Sequence, residues 1–512
     1  MNVTKQEIAP NAVPVVDIAQ PNAAGVSHNY YEKFNVNREG LILNNSTVAA
    51  QSQLGGLLMG NANLARTGSV SLIVNEVTGS TQSHINGFIE VHGRAADLVV
   101  ANPNGISVNG GGFINASRVT LTTGLPEFDA NGALQSLLVQ QGKVRIGEQG
   151  MYIQNCNYCD ILANAVEING AIQGQKSIDR GSDIRVVSGY YRFDYPSGTA
   201  TEEASGDPIM GVDSSALGGM YAGKIYFIAK GRDVGVKLPP NMATNTGDLV
   251  VESDGSIHLS GQLNSSGKIE IKTSNELVSQ EMKMRATDKI DLSVRSVTMS
   301  STDSFTPKTL SLKAIDEITF SNTKLRSIQA LQIQGGSLES TEDQWSSLAD
   351  ISLESTTGAM TLKKSVLNSP QTISMQSEGD FALNGKLVAK QGIQLISQGG
   401  LQQEGILEAS EGTIVSQTSD DSSVKGKWTA RDGIQIASDR SIAIENHSLL
   451  SSESPIVVKS GNLAHLEGTI RSKEKIRFEG NNGFIQGEIF GKNIAIETND
   501  NLRLKGKCIS TF

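Results

Sequence analysis

The sequence predicts an all-β fold: a single-stranded right-handed parallel β-helix, or solenoid, with an N-terminal cap and extra-helical β elements. Three observations predict it. From Leu249 onward a short strand pattern returns about every 20 residues, placing an aliphatic residue, any residue, and usually a second apolar one. The intervals between returns are filled with Gly, Asn, Asp and Ser, the residues of turns. The apolar residues come in ones and twos, without the stripes of an amphipathic helix. A fixed period of this size marks a repeat architecture whose core grows lengthwise.

The first members of the repeated pairs are Leu249, Ile269, Ile290, Leu310, Leu331, Ile351, Ile373, Ile393, Ile414, Ile434, Ile456, Ile476 and Ile494. Their steps are 20, 21, 20, 21, 20, 22, 20, 21, 20, 22, 20 and 18 residues. Each rung holds two or three short strands. Leu249/Val251 leads through a turn at Asp254-Gly255 to Ile257/Leu259, and Ile434/Ile436 leads to Ile442/Ile444. Alternation by two puts every second side chain on one face. Stacking equivalent aliphatics in columns then gives rungs rising about 4.8 Å each, a section of about 60 Å for thirteen of them. A β-sandwich has no reason to keep so regular a period, and an α-solenoid needs longer repeats with helical periodicity.

Residues 1–240 read as irregular and form one domain; residues 241–512 form a β-helical shaft. Residues 173–219 interrupt the rungs and read as a surface excursion. It carries the aromatic run Tyr190-Tyr191-Arg192-Phe193-Asp194-Tyr195 and an acidic stretch around Glu202-Glu203. Such an aromatic run more often covers a core edge than forms a binding patch. The final segment, from Ile494, reads as an ordinary rung without a cap. That predicts a chain that is incomplete or self-associates there.

Composition excludes several functions. Net charge is −10 and the basic residues are scattered along the chain, so no nucleic acid partner is expected. No apolar run has the length of a membrane-spanning helix. Residues 1–16 contain no apolar signal core, so a leader either preceded this numbering or export takes another route. Cys156 and Cys159 form a C-x-x-C and Cys508 stands alone. With no second pair to complete a zinc site, they read as a local disulfide or as two buried thiols. The six His residues are dispersed without ligand spacing, so neither a metal nor a cofactor is expected.

The N-terminal region carries the specific wording. Asn102-Pro103-Asn104-Gly105 is a strong turn, with Pro setting φ at its second position and Gly tolerating positive φ. Together with Ile106 and the later Gly112-Phe113-Ile114-Asn115, it resembles the signature of two-partner-secretion exoproteins, the filamentous-haemagglutinin-like family. Val13-Pro14-Val15-Val16-Asp17-Ile18, Gly40-Leu41-Ile42-Leu43-Asn44-Asn45, Asn75-Glu76-Val77-Thr78 and Gly218-Gly219-Met220-Tyr221 resemble further family motifs in family order. The resemblance covers roughly residues 10–240, and the later rungs look like degenerate repeats of the same family.

The resemblance implies a secreted or cell-surface protein of a Gram-negative bacterium. Its N-terminal domain would be recognised in the periplasm by an outer-membrane transporter with periplasmic recognition domains. Asn102, Pro103, Asn104, Gly105 and Ile106 match one recognition motif, and Asn61, Asn63 and Leu64 occupy the place of a second. There Ala62 replaces the usual Pro, which frees φ and loosens the turn. Asn102→Ala and Asn104→Ala are expected to block export while leaving rung stability nearly intact. The Cys156/Cys159 pair resembles one in the contact-dependent growth-inhibition branch, where an oxidising compartment suits a disulfide.

The function read from the sequence is therefore an exported exoprotein whose shaft acts in adhesion through an unknown host or neighbouring-cell receptor. One alternative is the front of a contact-dependent growth-inhibition toxin-delivery protein. Another is a β-helical polysaccharide-degrading enzyme, which would need carboxylates converging on one groove. The acidic residues here stand mostly singly, and neighbours such as Asp420 and Asp421 point to opposite faces of a strand. The chain is not expected to be an enzyme.

Overall fold

The computed structural model describes residues 6–9, 11–177, 180–203 and 210–510. Two compact units are present, residues 1–278 and 279–512. Among the described residues, every regular element is a β-strand except one 3-10 turn, Ala62–Leu64. The expected parallel β-solenoid is the architecture of each unit.

In the first unit, Pro14–Asp17 pairs in parallel with Leu41–Asn45, and that strand with Phe88–Gly93. A second stack starts at Val26–Tyr31 and continues through Leu72–Val77, Ala96–Ala101, Ala116–Thr122, Tyr158–Leu162, Asp183–Gly189 and Ile225–Lys230 to Leu249–Ser253. A third runs from Ser83–Ile85 through Ile106–Val108 and Lys143–Ile146 to Ala165–Ile168. Rungs therefore run through the region that reads as irregular in sequence. Its period is masked by insertions. One is the antiparallel hairpin Ala50–Ser52 with Gly56–Leu58. Another is a four-stranded antiparallel sheet in the order Leu125–Phe128, Leu134–Val139, Tyr191–Asp194, Thr199–Glu202.

That sheet corrects the reading of residues 173–219 as a single excursion. Half of it comes from residues 125–139, one insertion earlier. Tyr191 and Phe193 are fully buried against Val99, Ala101, Leu162 and Val187, so the aromatic run covers a core edge. Of the acidic stretch, residues 204–208 lie outside the described residues. The cap is made by Gln6–Ile8, antiparallel to Pro14–Asp17, and by a cluster of Ala9, Val13, Val15, Ile42 and Leu58.

In the second unit the predicted repeat positions are Cα partners in register. Ile290 pairs with Leu310, then in turn Leu331, Ile351, Ile373, Ile393, Ile414, Ile434, Ile456, Ile476 and Ile494. Those from Ile290 to Ile476 are buried, and each buried aliphatic contributes roughly 1.5–3 kcal/mol. Serine hydroxyls close the corners. Ser397 donates to Gly379 O of the preceding rung at 2.7 Å and accepts from Gly399 N at 3.0 Å. Ser377, Ser438 and Ser460 repeat both bonds, donating at 2.9, 2.7 and 2.8 Å. Each hydroxyl thus caps its own turn and ties it to the rung before.

A different corner changes type along this unit. Glu281, Ser301, Asn322, Glu342 and Lys364 all adopt left-handed φ, between 49° and 59°. After Lys364 the register shifts and the corner passes to glycines. A Cβ on Gly405 would lie 1.8 Å from Gly385 O, and one on Gly426 2.0 Å from Gly405 O. Gly405→Ala should therefore destabilise the unit by at least about 2 kcal/mol. Lys364→Gly, which relieves a conformation costing about 1 kcal/mol, should be neutral or stabilising. Denaturant unfolding followed through the buried Trp345 and Trp428 measures both.

Candidate functional site

The Asn102 turn sits between the strands Ala96–Ala101 and Ile106–Val108. Gly105 N donates to Asn102 O at 3.0 Å, closing a β-turn with Gly105 at φ 108°. A side chain at Gly105 would meet Lys143 O at 2.8 Å, so this position needs glycine for both reasons. Asn102 is fully buried. Its Nδ2 donates to Thr81 O at 3.0 Å and to Ser83 Oγ at 2.9 Å, while its Oδ1 accepts from Asn104 N at 2.9 Å. Ile106 is also fully buried. Asn104 is exposed, and its Nδ2 reaches Gly79 O at 2.8 Å. Pro103 is half-buried.

The second motif repeats this logic with other partners. Asn61 is buried and caps the Ala62–Leu64 turn, its Oδ1 accepting from Asn63 N at 2.9 Å. Its Nδ2 donates to Ile18 O at 2.9 Å and Asn44 O at 3.0 Å. Asn63 is exposed and donates to the same Ile18 O at 3.1 Å. Leu64 is buried. Each motif thus has a buried first asparagine that holds the fold and an exposed second one.

That burial revises one expectation. Asn102 is not a surface residue whose loss leaves the rungs intact. It satisfies a backbone carbonyl and a backbone amide that would otherwise be orphaned.

Cys156 and Cys159 are buried and Cys508 is exposed. Burial, with Cys156 and Asp160 close by, pushes the Cys159 thiol well above its ordinary value. Among the described residues no three His, Cys, Asp or Glu side chains group as a metal site.

One constellation lay beyond sequence reasoning. Asp160, buried, receives Arg118 Nε at 2.7 Å and faces Arg185 Nε at 3.7 Å, in a cleft of about 500 Å³. Arg118 lies over the Tyr195 ring at 4.0 Å and donates to Tyr195 O at 3.1 Å; Arg185 donates to Gly198 O. The two arginines fasten the Tyr195–Gly198 corner of the extra-helical sheet onto the solenoid. The partners lie 13 to 77 residues apart, with no motif to signal them.

The chain matches the TPS secretion domain family over residues 2–259. It belongs to that family. The TPS domain here is therefore the secretion domain of an exoprotein exported by two-partner secretion, and family membership implies an outer-membrane transporter as its partner. Secreted or cell-surface placement in Gram-negative bacteria follows. Among curated relatives, the chain is 37% identical over 414 residues to the 16S rRNA endonuclease CdiA of Enterobacter cloacae subsp. cloacae, a match spanning 80% of this chain and 11% of that protein. It is 41% identical over 293 residues to the tRNA nuclease CdiA of Yersinia mollaretii, spanning 53% of this chain and 10% of that one. The chain thus spans about a tenth of the length of these relatives. The crystal structure of a filamentous hemagglutinin secretion domain is 34% identical, covering 59% of this chain and 95% of its own, with a TM-score of 0.49.

Replacing Asn102 by Ala should destabilise the TPS domain by about 2–3 kcal/mol, the cost of stranding buried polar groups. Asn104→Ala, at an exposed position, should cost well under half of that. Thermal unfolding of the two variants against the parent checks the difference.

Proposed function

We propose that residues 1–240 direct the chain through the periplasm to a transporter with periplasmic recognition domains, and that residues 241–512 form a shaft acting in adhesion at a host or neighbouring cell. In this reading Asn61, Asn63 and Leu64, together with Asn102, Pro103, Asn104, Gly105 and Ile106, are the elements the transporter reads. The observation that carries it is the shared build of the two motifs, in which folding buries the first asparagine in backbone bonds and leaves the second exposed. Recognition before folding exposes all of these side chains. Folding then withdraws Asn61 and Asn102 into backbone bonds, which releases the transporter and disfavours return.

The experiment is secretion from a heterologous host carrying the transporter. Asn104→Ala should lower secretion severalfold while its melting temperature stays near that of the parent. Equal secretion of this variant and the parent would remove Asn104 from the recognition elements.

Cys156 and Cys159 would be joined in the oxidising periplasm, as their two-residue separation and shared burial support. The intact mass of secreted protein, before and after reduction, should differ by two hydrogens.

The growth-inhibition reading is favoured by the identity to nuclease relatives that are far longer than this chain. Reading the gene beyond the Phe512 codon tests it, since a continuing frame with a terminal globular domain is its expectation. The enzyme reading loses support because acidic neighbours are engaged separately. Asp420 faces Arg440 at 3.1 Å, while Asp421 accepts from Ser441 N at 3.0 Å.

A further inference from the structure

The basic residues look scattered in the sequence, but the repeat gathers some of them. On one outward face of the second unit, two side-chain columns stand in register. The first is Lys283, Asp303, Lys324, Gln344, Val366 and Lys386. The second is Arg285, Phe305, Arg326, Ser346, Asn368 and Val388. These two columns carry five cations and one carboxylate, a local excess of four positive charges in a chain of net charge −10. At the adjoining corner stand Glu281, Glu342, which is paired with Lys364 at 3.1 Å, and the buried Asp343, and Glu408 follows Val388 in register on the next rung.

The stripe is organised. Asp303 receives Arg285 Nη2 at 2.8 Å and Arg326 Nη2 at 2.9 Å, which holds the two guanidinium groups side by side. Arg326 also lies over the Phe305 ring at 5.9 Å. Its Nε and Nη1 have no protein partner among the described residues, and Lys283, Lys324 and Lys386 face no carboxylate there. A groove of about 710 Å³ runs along Asp303, Lys324, Arg326, Gln344, Val366 and Asn368.

We propose that this stripe binds a linear uronate-bearing polysaccharide laid along the rungs. Six rungs span about 24 Å, long enough for several sugars. Cations in the first column recur every two or three rungs, with Asp303, held by two arginines, in the first interval and neutral Gln344 and Val366 in the second. This suits an extended polyuronate in which every second sugar turns its carboxylate to the same side. It does not suit a nucleic acid strand, whose charges recur about every 3.4 Å. The amides of Gln344 and Asn368 match sugar hydroxyls, and Phe305 and Val366 offer apolar surface to ring faces. Arg326 and the lysines supply the charge-assisted bonds to carboxylates.

This inference deepens the display role proposed for the shaft, and it is read on the purified full chain. Its failure would leave export and display standing, and a failure of export would leave the binding result untouched. The probe is polygalacturonate, measured by calorimetry at near-physiological salt, with dextran and single-stranded DNA as comparators. We expect the parent to bind polygalacturonate but not dextran, with affinity falling as salt rises. The triple variant Lys283→Gln, Lys324→Gln, Arg326→Gln should bind at least tenfold more weakly, and Lys386→Gln alone severalfold. A control triple variant at ion-paired lysines elsewhere, Lys390→Gln, Lys425→Gln, Lys473→Gln, should stay within twofold. All these side chains are exposed, so circular dichroism should be unchanged. No binding by the parent, equal losses in the two triple variants, or tighter binding of DNA than of polygalacturonate would each overturn the proposal.

Discussion

The structure depends on one constraint: no rung can satisfy its own backbone. An α-helix closes its hydrogen bonds within itself, whereas each solenoid strand must find N–H and C=O partners on the rungs either side. Register is therefore decisive, and several groups pin it. The inward aliphatics are one, because a one-residue slip would turn Ile351 and Leu353 to solvent. Ion pairs are another. Lys363 meets Glu339 at 2.7 Å, Lys364 meets Glu342 at 3.1 Å and Lys390 meets Glu411 at 3.1 Å, each pair joining successive rungs. Such exposed pairs add only about 0–1 kcal/mol each. Their value is that a slipped register would separate them all together.

Corners are where this constraint is hardest to meet, because the chain leaves strand geometry while its backbone groups still need partners on the neighbouring rung. The second unit solves it in two ways. Hydroxyls do it at one corner, each spanning from its own turn to the carbonyl of the rung before. Backbone shape does it at another, first with strained left-handed residues and then, after Lys364, with glycines packed on a carbonyl below. The plentiful Ser and Gly of the composition are thus not loop filler. They stand where a buried polar group or a close backbone approach requires them.

The same constraint decides which rungs are legible in the sequence. The rungs from Leu249 onward were legible because inward positions must be apolar and the period is uninterrupted. The rungs before Leu249 were not, because residues 125–139 and 190–202 leave the solenoid and return, which destroys the period without destroying the stack. Nothing local signals that Leu134–Val139 pairs with Tyr191–Asp194; that partnership is made by tertiary burial of Leu137, Tyr191 and Phe193. At the candidate site the turns were legible from Pro103, Gly105 and the asparagines. The burial of Asn61 and Asn102 was not, since a polar residue in a turn motif reads as exposed until its distant carbonyl partners are known.

At residue 62 such distant partners decide how the turn is held. From sequence, losing the proline loosens the turn, by at most about 1 kcal/mol acting through the unfolded chain. In the structure, Ile18 O accepts from both Asn61 Nδ2 and Asn63 Nδ2, which uses both lone pairs of that carbonyl. Asn61 Nδ2 reaches Asn44 O as well, and Leu64 N closes on Asn61 O at 3.1 Å. The path of the chain through residue 62 is thus set from both sides by bonds that do not involve its side chain. Residue 62 itself is exposed. A proline there would pre-set a φ that the flanking asparagines already impose, so its replacement weakens the entropy of preorganisation and leaves the folded turn intact. By contrast, replacing Asn61 would remove its bonds to Ile18 O, Asn44 O and Asn63 N at once, which makes that buried asparagine, and not the proline, the part of the motif that the fold requires.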